Sequence, residues 1–209
     1  SKLQNKPEAF RSYHRNTNFI LSLLTMPITL VLAISAEPLI HLLLGEGWGK
    51  SAEIFIPLAM ASFILPVSSA RGVIFLASGD SRSYFINGFI KAVVMSIGFI
   101  VGVNWGALGV AWGYFSATWI VQFILVPYTV KHSVMSYRDL LCPCLPAAIM
   151  SIVSGGGVLL MNSHLEYASS VNEFLISLVA FGFIFLTQCI FHGQTRRIGL
   201  DVFSGKWAA

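Results

Sequence analysis

Residues 172–191 read NEFLISLVAFGFIFLTQCIF, a run in which Glu173 is the single charge. A helix crossing a bilayer needs roughly 20 predominantly apolar residues. Lipid offers the backbone no hydrogen bonds, so such a run must be a helix or a strand of a closed barrel. A barrel strand alternates polar and apolar residues with a period of two. Residues 176–186, ISLVAFGFIFL, do not alternate. The stretch is predicted to be a transmembrane helix.

Working back along the chain, five more apolar segments of similar kind occupy residues 18–36, 53–78, 85–103, 108–130 and 141–161. The composition agrees. Of 209 residues 56% are hydrophobic and 11% charged, whereas soluble domains carry about 25% charged residues. The fold class expected is all-α: a polytopic transmembrane helix bundle of about six spans, with no room for a soluble domain. Residues 1–17 are polar and basic, with Leu3, Phe10 and Tyr13 at helical spacing, and read as a cytoplasmic interfacial segment. Residues 192–209 read as a cytoplasmic tail. The chain begins at Ser1 with no signal peptide before the first span. It is expected to be the C-terminal part of a longer protein.

The net charge of +4 follows a topological rule rather than a nucleic-acid one. Lys and Arg gather on the cytoplasmic side of membrane spans. With residues 1–17 inside, the inner segments hold Lys2, Lys6, Arg11, Arg15, Arg82, Lys131, Arg138, Arg196, Arg197 and Lys206. The outer loops, 37–52, 104–107 and 162–171, hold only Lys50. Both ends of the chain are therefore expected in the cytoplasm.

Helix breakers interrupt several spans: Pro27 in the first, Pro57, Pro66 and Gly72 in the second, Pro127 late in the fourth. Kinks of this kind can open cavities lined by polar groups, as transporters require. Gly106, Gly109 and Gly113 form a small-residue ridge for close helix contact, and Gly155, Gly156 and Gly157 offer another.

Two cations lie inside spans. Arg71, in Ser68-Ser69-Ala70-Arg71-Gly72, costs at least about 2.5 kcal/mol there unless it faces a wet cavity or a partner. It either lines such a cavity or snorkels toward the inner headgroups. Lys91 shares a helix face with Asn87, Gly88, Met95, Gly98 and Gly102, a small and polar face that belongs against other helices or a cavity. The substrate-binding candidates are Arg71, Lys91, Asn87, Ser68 and Gln122. A cavity with these cations suits an anionic ligand such as a lipid-linked pyrophosphate. For Gln122 and Gln188, interhelical hydrogen bonding is the plainer role.

Other motifs carry less. Gly45-Glu46-Gly47-Trp48-Gly49-Lys50-Ser51 ends like a P-loop, but Leu44 stands where that motif needs glycine, and no buried strand precedes it. Cys142 and Cys144 have no second Cys/His pair for zinc. His14, His41, His132, His164 and His192 are scattered singly, and no carboxylate lies deep in a span. Nothing suggests catalysis, a metal or a cofactor.

The stretch Leu43-Leu44-Gly45-Glu46-Gly47-Trp48-Gly49-Lys50-Ser51-Ala52, then the Pro57 to Pro66 span and Leu76-Ala77-Ser78-Gly79-Asp80, resembles the lipopolysaccharide and exopolysaccharide flippases. So does residues 102–114, GVNWGALGVAWGY, and so does the basic lead-in ending Arg11-Ser12-Tyr13. These flippases belong to the multidrug/oligosaccharidyl-lipid/polysaccharide exporter superfamily. The resemblance covers about residues 1–135 and rests on the order and spacing of these motifs together. It implies a transporter of two helical bundles, of which this chain would be the second. It also implies movement of undecaprenyl-pyrophosphate-linked oligosaccharides across the bacterial inner membrane by alternating access, driven by an ion gradient. The implied partners are that lipid-linked oligosaccharide, membrane lipids and a polysaccharide polymerase; nucleic acid is not among them. The resemblance predicts no charge at position 71, so Arg71 departs from it. Two alternatives remain: a drug/cation antiporter of the same architecture, which would want a buried carboxylate, and a membrane polysaccharide polymerase, which would want a large outer loop.

Overall fold

The computed structural model describes residues 7–69, 71–165, 169–191 and 193. Among these residues the secondary structure is helical, with no strand. The helices are α1 (Pro7–Ile34), α2 (Ala36–Leu44), α3 (Gly49–Phe63), α4 (Leu65–Ser69), α5 (Arg71–Ser78), α6 (Ser81–Gly102), α7 (Gly106–His132), α8 (Tyr137–Leu141), α9 (Leu145–Asn162) and α10 (Ser170–Phe191). At 1.5 Å per residue, α6 and α10, of 22 residues each, are about 33 Å long. That length matches the roughly 30 Å hydrocarbon core of a bilayer.

Among the described residues, four helical stretches are long and apolar enough to cross a membrane: Phe10–Ile34, Ser81–His132, Leu145–Asn162 and Ser170–Phe191. Ser81–His132 consists of α6 and α7 joined by a single 3-10 turn, Val103–Trp105. The chain is a multi-pass membrane protein. The remaining apolar segment, residues 53–78, is interrupted after Phe63, where α3 ends, instead of forming one helix. Pro66 is the cause: it supplies no N–H, and its ring crowds the carbonyl four residues back. Pro27, Pro57 and Pro127, by contrast, lie within helices that continue past them.

Two other segments differ from expectation. Residues 1–6 lie outside the described residues. From Pro7 onward the expected interfacial segment is the start of α1 itself, with no break before the span. Proline is well placed at a helix start, and no second breaker follows until Pro27. His14 and Asn18 face the interior, 5% and 0% exposed. The expected outer loop over 37–52 also folds, as α2 and a 3-10 turn, Glu46–Trp48. Helix α2 ends at Gly45, whose φ of 90° suits glycine alone among common residues. The tail at 192 and 194–209 lies outside the described residues.

Packing runs from the α6–α7 hairpin through α3 and α1 to the α9–α10 hairpin, with α2 against α3 and α10. The α6–α7 seam is made of glycine. A Cβ on Gly98 would stand 2.7 Å from the Gly113 carbonyl oxygen, and one on Gly102 would stand 2.5 Å from that of Gly109. Gly106 of the expected ridge does something else. At φ 69° it makes the turn into α7, and a Cβ there would meet nothing. In α9, Gly155 admits Leu30 and Ile34 of α1 and Gly157 abuts Ile184, whereas Gly156 faces open space. A buried cluster of Met26, Val67, Ile74, Val126, Leu140 and Ala147 ties α1, α4, α5, α7, α8 and α9 together.

Candidate anion-binding cleft

Arg71 is the first residue of α5. Arg71 is 3% exposed. Its Nη1 donates a hydrogen bond of 2.5 Å to Oε1 of Gln122 on α7. Its Nε has no partner among the described residues, and no carboxylate pairs with it. Gln122 stands ten residues before His132, about 15 Å along the helix. The guanidinium thus reaches across to the middle of α7 rather than back along α5 to a helix end. An arginine so buried, with donors left over and no acid, is electrostatically incomplete.

Ser68, Arg71, Gly72, Asn87, Gly88 and Lys91 line one cleft of about 550 Å³, together with aromatic residues of α6. Four of the five sequence candidates therefore share a cleft, although Ser68 and Arg71 come from one stretch of the chain and Asn87 and Lys91 from α6. The fifth, Gln122, does not line it; it holds Arg71 from α7. Asn87 is half-buried, and its Nδ2 has no partner among the described residues. Lys91 is exposed. The Ser68 hydroxyl donates to the Leu65 carbonyl at 2.8 Å, which leaves its lone pairs free to accept. The polar helix face read along α6 is thus divided. Asn87, Gly88 and Lys91 open on the cleft, and Gly98 and Gly102 pack on α7. Among the described residues no carboxylate lines the cleft. Guanidinium, ammonium and amide N–H groups there are all donors, the chemistry that receives phosphate oxygens. A larger apolar groove of about 640 Å³ along the α6–α7 seam has no such grouping of charges.

Residues 1–53 match a family model described as a polysaccharide biosynthesis protein. No curated protein sequence matches the chain. The whole chain superposes on part of a solved structure, the lipid II flippase MurJ in an inward closed conformation, with a TM-score of 0.72 and 17% identity. The chain has the fold of that part of MurJ. It spans 42% of the length of the MurJ chain, so the MurJ-like part described here is less than half of such a molecule.

Sequence reasoning missed one cluster at the α1–α8 junction. Asp139, 6% exposed, lies 3.9 Å from Nε of Arg11 and 3.9 Å from Nη1 of Arg15. It also closes a capping box with Ser136 at the start of α8. The Ser-x-x-Asp spacing was the available signal. Gln188 donates to Ser154 at 3.0 Å, the interhelical bond expected of it. Among the described residues no cluster of three or more His, Cys, Asp or Glu could hold a metal.

Proposed function

We propose that this chain is one bundle of a transporter that flips undecaprenyl-pyrophosphate-linked oligosaccharides across the bacterial inner membrane for lipopolysaccharide or exopolysaccharide synthesis. Both ends of the bundle face the cytoplasm, and the protein is not an enzyme. Arg71 and Lys91 hold the pyrophosphate, while Asn87 and Ser68 add a donor and an acceptor. The observation that carries the reading is the meeting of these four side chains in one carboxylate-free cleft of a MurJ-like fold.

The physical case rests on differential solvation. Inside a membrane protein an uncompensated cation costs several kcal/mol, and a bound pyrophosphate offsets that cost where water cannot. Arginine presents a planar fork that matches phosphate oxygens, and lysine supplies a mobile point charge beside it. An antiporter reading would want a buried acid. Asp139 is buried, but it is engaged with Ser136 and the two arginines at a helix junction.

The test is complementation. In the full-length protein, Arg71→Ala and Lys91→Ala should each abolish surface polysaccharide while protein levels stay normal. Normal complementation of a flippase deletion by both variants would overturn the reading. A polymerase partner would be sought by co-purification with the full-length protein.

A further inference from the structure

Gln122 belongs to two environments. Its Oε1 accepts from Arg71, which lines the polar cleft, while Gln122 itself lines a second cleft of about 340 Å³. That second cleft is walled by Ile64 and Val67 at the α3–α4 break, by Trp119 and Val126 of α7, and by Tyr137 and Leu141 of α8. Its surface is almost entirely hydrocarbon.

We propose that the second cleft receives the hydrocarbon chain of the same lipid pyrophosphate whose head is held at Arg71. The inference rests on the anion-binding reading of Arg71 and extends it to the other end of the molecule. Two observations carry it. The two clefts have opposite polarity and are bridged by one hydrogen bond, so a head at Arg71 and a chain beside Gln122 are one side chain apart. An inorganic anion or a free sugar would use only the first cleft. Finally, the far wall is built rather than accidental: the Ser136–Asp139 capping box holds α8 so that Tyr137 and Leu141 close the cleft. Its volume falls in the range of roughly 300–1,000 Å³ usual for small-molecule sites.

The experiment uses the full-length protein in lipid nanodiscs and an isoprenyl pyrophosphate carrying a benzophenone on its chain. Irradiation should label peptides containing Phe123 to Val126 and Tyr137 to Leu141, and excess unlabelled isoprenyl pyrophosphate should remove most of that label. Leu141→Trp, at a partly exposed position, should cut the labelling several-fold while pyrophosphate still raises the melting temperature. A phosphatidylcholine with the same benzophenone should label these peptides weakly. Equal labelling by the phosphatidylcholine, or labelling that excess probe does not displace, would show bulk lipid in the cleft and overturn the proposal. Arg71→Ala separates the two readings. If it leaves both the melting shift and the labelling intact, the anion reading fails. If the melting shift disappears in Arg71→Ala but wild-type protein is never labelled at these peptides, only the chain site fails.

Discussion

Arg71, the first residue of α5, donates its Nη1 hydrogen to Gln122 in the middle of α7, 51 positions along the chain. This is the contact that keeps a buried cation facing its cleft. Replacing Gln122 by Leu preserves apolar volume and strands the guanidinium. The expected loss is about 1–2 kcal/mol, since hydrogen bonds to charged groups are stronger than neutral ones but polar bonds within membranes average less than 1. Thermal unfolding in detergent measures it. A double-mutant cycle with Arg71→Leu should recover part of the loss; strict additivity would mean the two side chains are uncoupled.

The glycine seam predicts a position-dependent series. Gly98→Val and Gly102→Val drive a side chain into the backbone of α7 and should cost about 3 kcal/mol or more, beyond ordinary overpacking. Gly156→Ala meets open space and should leave the melting temperature unchanged or slightly raised. Gly106→Ala meets open space too, yet should destabilise, because its φ of 69° is unfavourable for a side chain. Equal effects at all four sites would remove the packing account.

At the α8 junction the cap should outweigh the ion pairs. Ser136→Ala and Asp139→Ala each break the capping box and are expected to cost about 1 kcal/mol. Arg11→Ala and Arg15→Ala remove partners that are 44% and 59% exposed at 3.9 Å, so each should cost less than about 0.5 kcal/mol. Salt should hardly alter the first pair of variants.

Asp80, in the turn before α6, accepts hydrogen bonds from Ser83, which hold its carboxyl below the ordinary value of 3.8. A depressed folded-state pKa contributes stability above the unfolded value and loses it as pH falls through the folded one. Melting temperature should therefore drop as pH falls below about 3.8, and the drop should be smaller in Asp80→Asn, which keeps the cap without titrating. A parallel pH profile for the two proteins would rule this out.

Much of the fold was legible because lipid imposes a local rule. Each apolar run must satisfy its own backbone, so residues 85–103, 108–130, 141–161 and 172–191 could be read as helices one at a time. The break near Pro66 was legible as a proline, but its consequence was not. Pro27, Pro57 and Pro127 look similar in sequence and leave their helices continuous. The folding of 37–52 as α2 was missed because a loop was inferred from its place between spans, although no breaker stands between Pro38 and Gly45.

The sequence by itself determined the all-α membrane architecture and the presence of two cations inside spans, since both follow from side-chain solvation at single positions. It could not say whether Arg71 lined a cavity or snorkelled. Ser68 and Arg71 lie apart in sequence from Asn87 and Lys91, and only the packing of α5 against α6 brings them into one cleft. Gln122 was a candidate for that cleft and became its support, because the rotation of α7, set by the glycine seam and the core beneath it, turns Gln122 toward Arg71. Helix formation depends on neighbours in sequence; which faces meet depends on close packing between distant segments, and there the tertiary structure alone decides.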